Sequence, residues 1–425
     1  MHYNKIIPIL IFSLLSGQSL FNRWIGTDPF IGSSKSNAMG YTHVINSMGS
    51  YNVRFNPAKI AMLKSNLIFN IQINRSSVFE RWSMPIRDSF GDFLTNADYV
   101  SNEFDYYGNQ IGFIYTNKLL GLGFNYAPLT HFNYQYLEEV RGTYRIDDGE
   151  YASKDPLIGY HNINIEGKSM VKSGGGGVKF ALDNIVLGIG ASLNIIEPTT
   201  ISDFINIDTL NTDVTNLSYL LDTYQITKTP SVQFINISSI LDYKSKVKIG
   251  FLWENEAKVI SFDNSTSIDS TNGLFNFFSD SIYSVIGTNY CKPEIKAIAL
   301  TYYSNTEQQI SISFEYNLIS YNKHLNLNDY KQYKFGFEYI TQMGIPIRGG
   351  LMYKQNLFST IKPTSLFTLG SSKSFANIIA DFSATYTTQS FYYKDLFPVI
   401  NDIRFESDLV RDSQFNLHLN ISYKF

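Results

Sequence analysis

One cysteine in 425 residues, Cys291, is too few for a disulfide framework or for a zinc site built on thiolates. Charge is scarce too: 34 basic against 37 acidic side chains leave a formal −3, with no cationic excess to follow a phosphate backbone. Nucleic acid is therefore excluded as a partner. Downstream of residue 19 no run of 18 apolar residues occurs, so a bundle of membrane helices is excluded as well. The 6 histidines, His2, His43, His131, His161, His324 and His418, show no paired ligand spacing, and neither a metal nor another cofactor is expected. No Gly-x-Ser-x-Gly elbow is present. Gly174 to Gly177 are followed by a strand pattern, not by Lys-Ser/Thr, so they read as a bend and not as a phosphate loop. Gly188 and Gly190 lack a third glycine at dinucleotide-binding spacing. No enzyme and no catalytic residue are expected.

What the chain has in quantity is aromatic: 30 Tyr and 32 Phe. Before them, residues 1–19 read as a signal peptide, with Lys5 in the n-region, an apolar stretch Ile6 to Leu15, and the small residues Gly17 and Ser19 before a cleavage point. No cysteine follows that stretch, so a lipoprotein anchor is not expected. Export without disulfides points to a bacterial envelope.

From about residue 65 onward the apolar pattern has period two. Tyr333, Phe335, Phe337 and Tyr339 point one way while Gln332, Lys334, Gly336 and Glu338 point the other. Ile310, Ile312, Phe314 and Tyr316 likewise oppose Gln309, Ser311, Ser313 and Glu315. The last residues repeat the pattern from Phe415 to Phe425. An aromatic-tipped apolar face opposite one that carries charge and glycine is the mark of a transmembrane barrel, with lipid outside and a mixed lumen. The expected fold is thus all-β, an antiparallel transmembrane barrel.

The expected strands lie near 66–74, 108–116, 119–127, 177–183, 185–194, 244–253, 257–263, 293–303, 308–317, 330–340, 345–354, 365–371, 376–387 and 414–425, about fourteen in all. Short turns alternate with long connections such as 75–107, 128–176, 195–243, 264–292 and 388–413, with room for extra hairpin material in 134–171. Short periplasmic turns alternating with long extracellular loops fit an outer-membrane barrel. Closure removes exposed sheet edges.

Ahead of the first strand, residues 20–65 form a separate segment, leaving 66–425 for the barrel. Its segment 36–63 holds Ala38-Met39-Gly40 and then Asn56-Pro57-Ala58. Asn56 can cap a short helix with Pro57 at its first position. This arrangement resembles the FadL/TodX family of outer-membrane transport proteins, in which an Ala-Met-Gly stretch leads into an Asn-Pro-Ala-Gly-Leu motif before the first strand. The stretch with Gly336, Glu338, Tyr339, Pro346, Arg348, Gly349, Gly350 and Tyr353 also looks like that family, as does 368–386 with Asp381 and Tyr386. Tyr41-Thr42 and Lys59 depart from it, standing where glycine is common.

The resemblance implies a fourteen-stranded barrel with an N-terminal hatch inside the lumen, whose motif residues here are Met39, Gly40, Asn56, Pro57 and Ala58. It implies passage of hydrophobic molecules such as long-chain fatty acids or aromatic hydrocarbons, by passive diffusion past a gated hatch and sideways out through a kinked strand. Expected surroundings are outer-membrane lipid and lipopolysaccharide, and the barrel-assembly machinery that reads a terminal Phe425. Two aromatic groups in the outer loops are candidate capture surfaces, Leu274, Phe275, Phe277 and Phe278, and Phe391, Tyr392 and Phe397. Such loops equally pack on themselves. Arg348, expected to face the lumen, either pairs with a ligand carboxylate or forms an internal salt bridge to Glu338. A FadL-like barrel serving as a type IX-like secretion shuttle and an unplugged porin are the alternative readings.

Overall fold

Alternating segments can bury every backbone group only by pairing with one another, and in lipid only a closed sheet leaves none unpaired. A computed structural model describes residues 26, 32–63, 66–141, 157–210, 223–258, 265–267, 291–304, 309–321, 328–356, 361–397 and 406–425. The wall is made of β1 (Leu67–Arg87), β2 (Phe93–Thr116), β3 (Leu120–His131), β4 (Leu157–Leu182), β5 (Ile185–Ile196), β6 (Val232–Tyr243) and β7 (Val247–Glu254). It continues through β8 (Glu294–Tyr303), β9 (Ile310–Ser320), β10 (Tyr330–Ile340), β11 (Pro346–Lys354), β12 (Thr364–Phe375), β13 (Ile378–Tyr393) and β14 (Asp408–Lys424). Each pairs antiparallel with its neighbour in chain order, and β14 returns to β1 over Ile68–Ser83. The result is a closed fourteen-stranded barrel.

The count agrees with the sequence, but by two offsetting differences. Of the strand expected at 257–263, Ala257–Lys258 pairs with Cys291–Lys292 outside the wall, and 259–263 lie outside the described residues. In its place β6 comes from the region assigned to a loop. The cause is the turn after it, where Lys244 and Ser245 take φ of 51° and 55° without the glycine or asparagine that usually announces such a turn.

The side-chain alternation holds throughout the wall. Tyr333, Phe335, Phe337 and Tyr339 are exposed on the outer surface while Lys334 and Glu338 are buried in the lumen. Ile298, Leu300, Ile312 and Phe314 extend the same outer band across β8 and β9.

Several strands far exceed the roughly 9–11 residues that cross a membrane. β1, β2, β4, β13 and β14 have 21, 24, 26, 16 and 17 residues, so much of what read as loop is strand rising beyond the bilayer. The upper part of β4 carries Tyr134–Arg141 on one side and Thr199–Thr209, Thr223–Thr229 and Ser265–Ser267 in succession on the other, which confirms extra hairpin material at 134–171. These extensions close over the mouth in a cap whose core includes Trp82, Phe132, Tyr134, Tyr136, Ile163, Ile165, Phe391, Phe397 and Val410.

Residues 32–63 fold inside the lumen as four short helices, α1 (Ser34–Ala38), α2 (His43–Asn46), α3 (Asn52–Phe55) and α4 (Pro57–Ile60), with a 3-10 turn at Gly49–Tyr51. Nearly all of this hatch is buried. Pro57 opens α4 as expected, but the Asn56 side chain does not cap it. Its amide instead donates to the Val44 carbonyl, tying α4 to α2.

Candidate functional site

The hatch is seated on glycines that face each other across strands. Gly336 of β10 pairs with Gly350 of β11; Gly336 abuts Met39, and Gly350 abuts Met39 and Gly40, so that a Cβ on either would come within 2.5 Å of Met39 backbone atoms. Gly177 of β4 pairs with Gly190 of β5, and both abut Pro57 and Ala58. The two sequence motifs of the hatch therefore occupy matching clefts in the wall. Hydrogen bonds fix them there, with Gly40 N donating to Thr368 Oγ1 at 2.9 Å and Ala58 N to Ser238 Oγ at 2.9 Å. Tyr41, standing where glycine is common, adopts φ 62°, a left-handed conformation that glycine takes at less cost.

Charged groups add a latch. Lys35 of α1 reaches Glu338 at 2.6 Å, Glu338 accepts from Arg348 Nε at 2.6 Å, and Arg348 continues to Asp381 at 3.1 Å and Ser372 at 3.2 Å. Arg348 is buried in this network, bonded to Glu338, Asp381 and Ser372. Glu315 makes a second tie, accepting from Val44 N at 2.8 Å and from Lys334 at 2.7 Å.

Above the hatch lies a cavity of about 210 Å³. Its floor is Tyr41, Val44, Arg54 and Phe55; its walls include Leu129, Leu252, Ile319, Tyr330 and Met352. Ile319 and Tyr330 also belong to the cap core, so the cap is the roof. Six charged side chains line it. Two pairs neutralise each other, Lys292 with Glu254 at 2.6 Å and Lys334 with Glu315 at 2.7 Å. Arg54 and Lys354 have no acidic partner among the described residues. Each instead lies against an aromatic ring, Arg54 over Phe55 at 5.2 Å and Lys354 over Tyr330 at 5.3 Å. The chamber is mixed in character, part apolar and part charged, with a net positive charge. Arg54 and Lys354 were not among the residues picked from sequence. Both lie within stretches quoted there, yet which lumen charges stay uncompensated depends on where the hatch comes to rest.

The other sequence candidates are dispersed. Phe391 and Phe397 are buried in the cap, as in the alternative that these loops pack on themselves, while Tyr392 is 70 % exposed on the outer surface. Residues 274–278 lie outside the described residues.

Backbone pairing between β2 and β3 is partial. β2 and β3 pair only where Ile111–Thr116 meet Tyr126–Gly121. Beyond that point β3 carries Pro128, which has no N–H to donate, and its register against β4 shifts between Pro128 and Thr130. Higher up, Leu137 N donates to Asn102 Oδ1 of β2 at 3.3 Å. Between these two closures lies a window in the backbone pairing, where the rings of Tyr106 and His131 meet with centroids 4.8 Å apart. Leu129 and Thr130 of the bent β3 end face the inner cavity, while the adjacent His131 lines a second, outer cavity of about 730 Å³.

No family model matches the sequence, and no curated protein matches it. Solved structures do. A Pseudomonas aeruginosa FadL homologue covers 94 % of this chain and 100 % of its own at TM-score 0.59 and 11 % identity. The fold is that of the FadL/TodX channels. The P. putida toluene transporter TodX superposes at TM-score 0.55 and 11 % identity, and the Ralstonia pickettii toluene transporter TbuX at 0.53 and 15 %. For both, 95 % of this chain and 99 % of the other are covered. Within this fold, the hatch and the chamber belong to one lumen.

Proposed function

We propose that the protein is an outer-membrane channel for hydrophobic compounds, working by passive diffusion past its hatch. The likeness in fold to toluene transporters supports that class. Within it, the observation that carries the reading is the chamber in which Arg54 and Lys354 lack acidic partners among the described residues. Such a chamber suits the carboxylate end of an amphipathic molecule such as a long-chain fatty acid, with the head at the two cations and the adjoining part of the chain against Tyr330, Ile319 and Met352. A charge-assisted hydrogen bond to the head contributes about 2 kcal/mol, and each buried methylene about 0.8 kcal/mol. Exit runs through the window beside β3, which returns an apolar chain to hydrocarbon instead of to water. Export by residues 1–19 and recognition of Phe425 by the barrel-assembly machinery belong to the same reading.

A second reading has support of its own. At about 210 Å³ the chamber is below the ~300–1,000 Å³ of ordinary ligand pockets, a size that fits a single aromatic ring. Binding of radiolabelled oleate and of toluene to the purified channel separates the two. The first reading expects oleate binding to weaken at least tenfold in Arg54→Gln with Lys354→Gln while toluene is unaffected. Toluene binding alone, unchanged by either substitution, supports the second reading. A folded channel that binds neither compound overturns both.

A further inference from the structure

The outer cavity at the window has a chemistry that hydrophobic transport does not call for. Its lining comes from β2 (Asp105, Tyr107), from the strand after the bend (Gln135), from β4 (Asn164, Glu166, Lys168) and from Thr200 and Ser202. Asp105 is already committed, to Arg75 at 2.5 Å and to Ser77. By contrast, the side chains of Gln135, Asn164, Glu166, Lys168 and Thr200 have no hydrogen-bond partner among the described residues. They present amide, hydroxyl, carboxylate and ammonium groups together. Glu166 and Lys168 sit two positions apart on one strand with opposite charge, so the site favours neither anion nor cation. Tyr107, 59 % exposed, sets an aromatic face beside these groups.

Its height matters as well. On β2 the outward Ile111, Phe113 and Tyr115 run downward through the apolar band, and the outward Arg75–Asp105 ion pair lies just above it. The cavity therefore opens where lipid headgroups begin. At about 730 Å³ it is within the range of small-molecule sites and has room for more than one ring.

We propose that this outer cavity is a saccharide-binding site, taking uncharged sugar rings at the level of the outer-leaflet headgroups. Ring hydroxyls donate to and accept from Gln135, Asn164 and Thr200, which carry both kinds of group. The Tyr107 ring packs on an apolar sugar face, and Glu166 and Lys168 accept from and donate to further hydroxyls. Two sources supply this chemistry, the glycan of an outer-leaflet glycolipid and a free oligosaccharide.

The test uses the full chain in a polyoxyethylene detergent, since a maltoside detergent would itself occupy the site. Rough lipopolysaccharide that retains its neutral core hexoses and maltotriose are titrated separately by calorimetry, with folding checked by heat-modifiable gel mobility. Binding of either probe that weakens at least tenfold in Tyr107→Ala combined with Gln135→Ala supports the site, and the probe that binds identifies the source. Failure of the folded protein to bind either probe overturns the proposal, as does binding that survives both substitutions. Arg54→Gln changes oleate binding in the chamber and leaves this titration unmoved, so the two sites are read independently.

Discussion

Gly350 of the wall and Gly40 of the hatch meet backbone to backbone, with no room between them for a side chain on Gly350. Its neighbour Gly349 points outward, where the nearest atoms to an added Cβ lie 3.8 Å away. The two positions therefore form an internal control. Gly350→Val is expected to push Met39 and Gly40 off the wall while the barrel still closes, and Gly349→Val to be silent. Conductance in planar bilayers checks this: frequent large openings in the first variant, wild-type behaviour in the second. Equal behaviour of the two would show that the hatch does not depend on this cleft.

The latch at Glu338 divides into a hatch part and a wall part. Lys35→Met cuts only the link from α1, so the expected result is more frequent opening with barrel stability nearly unchanged. Glu338→Gln leaves Arg348 buried with only Asp381 for charge, and loss of a buried pair costs about 3–5 kcal/mol. Thermal unfolding is expected to drop well below wild type for Glu338→Gln and barely to move for Lys35→Met. Similar drops for both would mean that α1 is part of what stabilises the wall.

The barrel was legible because lipid and lumen impose opposite demands on alternate residues, a rule that Tyr333 to Tyr339 obey residue by residue. The hatch was legible through Asn56-Pro57-Ala58 and Met39-Gly40, although the reason for Gly177, Gly190, Gly336 and Gly350 was not. A glycine that makes room for a distant segment looks the same in sequence as one that bends a strand. The strand extensions were lost for a related reason: above the membrane the outer face is no longer lipid, so the contrast that marks a strand fades. Whether Phe391 and Phe397 capture a ligand or pack within their own loops stayed open in sequence, because nothing local states that Trp82, Tyr136 and Val410 will fold over them. Arg54 stood in plain view within the hatch, but its lack of an acidic partner among the described residues is a fact of tertiary placement.

The cap is expected to loosen as pH rises. Glu80 lies at its base, accepting from Trp82 Nε1 at 2.7 Å and Tyr134 Oη at 2.9 Å, with Asp412 directly opposite on β14. Burial, reinforced by the Asp412 carboxylate, holds the Glu80 carboxyl well above its ordinary value. The unfolded cap loses this proton near the ordinary value of about 4.3, while the folded cap keeps it to higher pH. The stabilisation is thus complete below the ordinary value and is lost as pH rises through the raised one. Hydrogen exchange at the amides around Trp82 and Tyr134, corrected for intrinsic rates, is expected to show falling protection from acid to alkaline pH. Glu80→Gln removes that slope, and a slope that persists in the variant assigns the effect to another group.

The turn between β6 and β7 carries avoidable strain. Lys244 and Ser245 both hold positive φ, which costs a residue with a side chain roughly 1 kcal/mol or more where an Asn-Gly pair would adopt it freely. The double substitution Lys244→Asn with Ser245→Gly leaves the register of Tyr243 opposite Val247 intact. The expected gain is about 1 kcal/mol, read as a higher urea midpoint with an unchanged slope. Since β6 and β7 pair with β5 and β8 on their other edges, the substitution touches one hairpin in a wall already closed. A midpoint that falls would mean that the Lys244 ammonium, 5.3 Å from the Tyr243 ring, contributes more at this rim than the turn loses in strain.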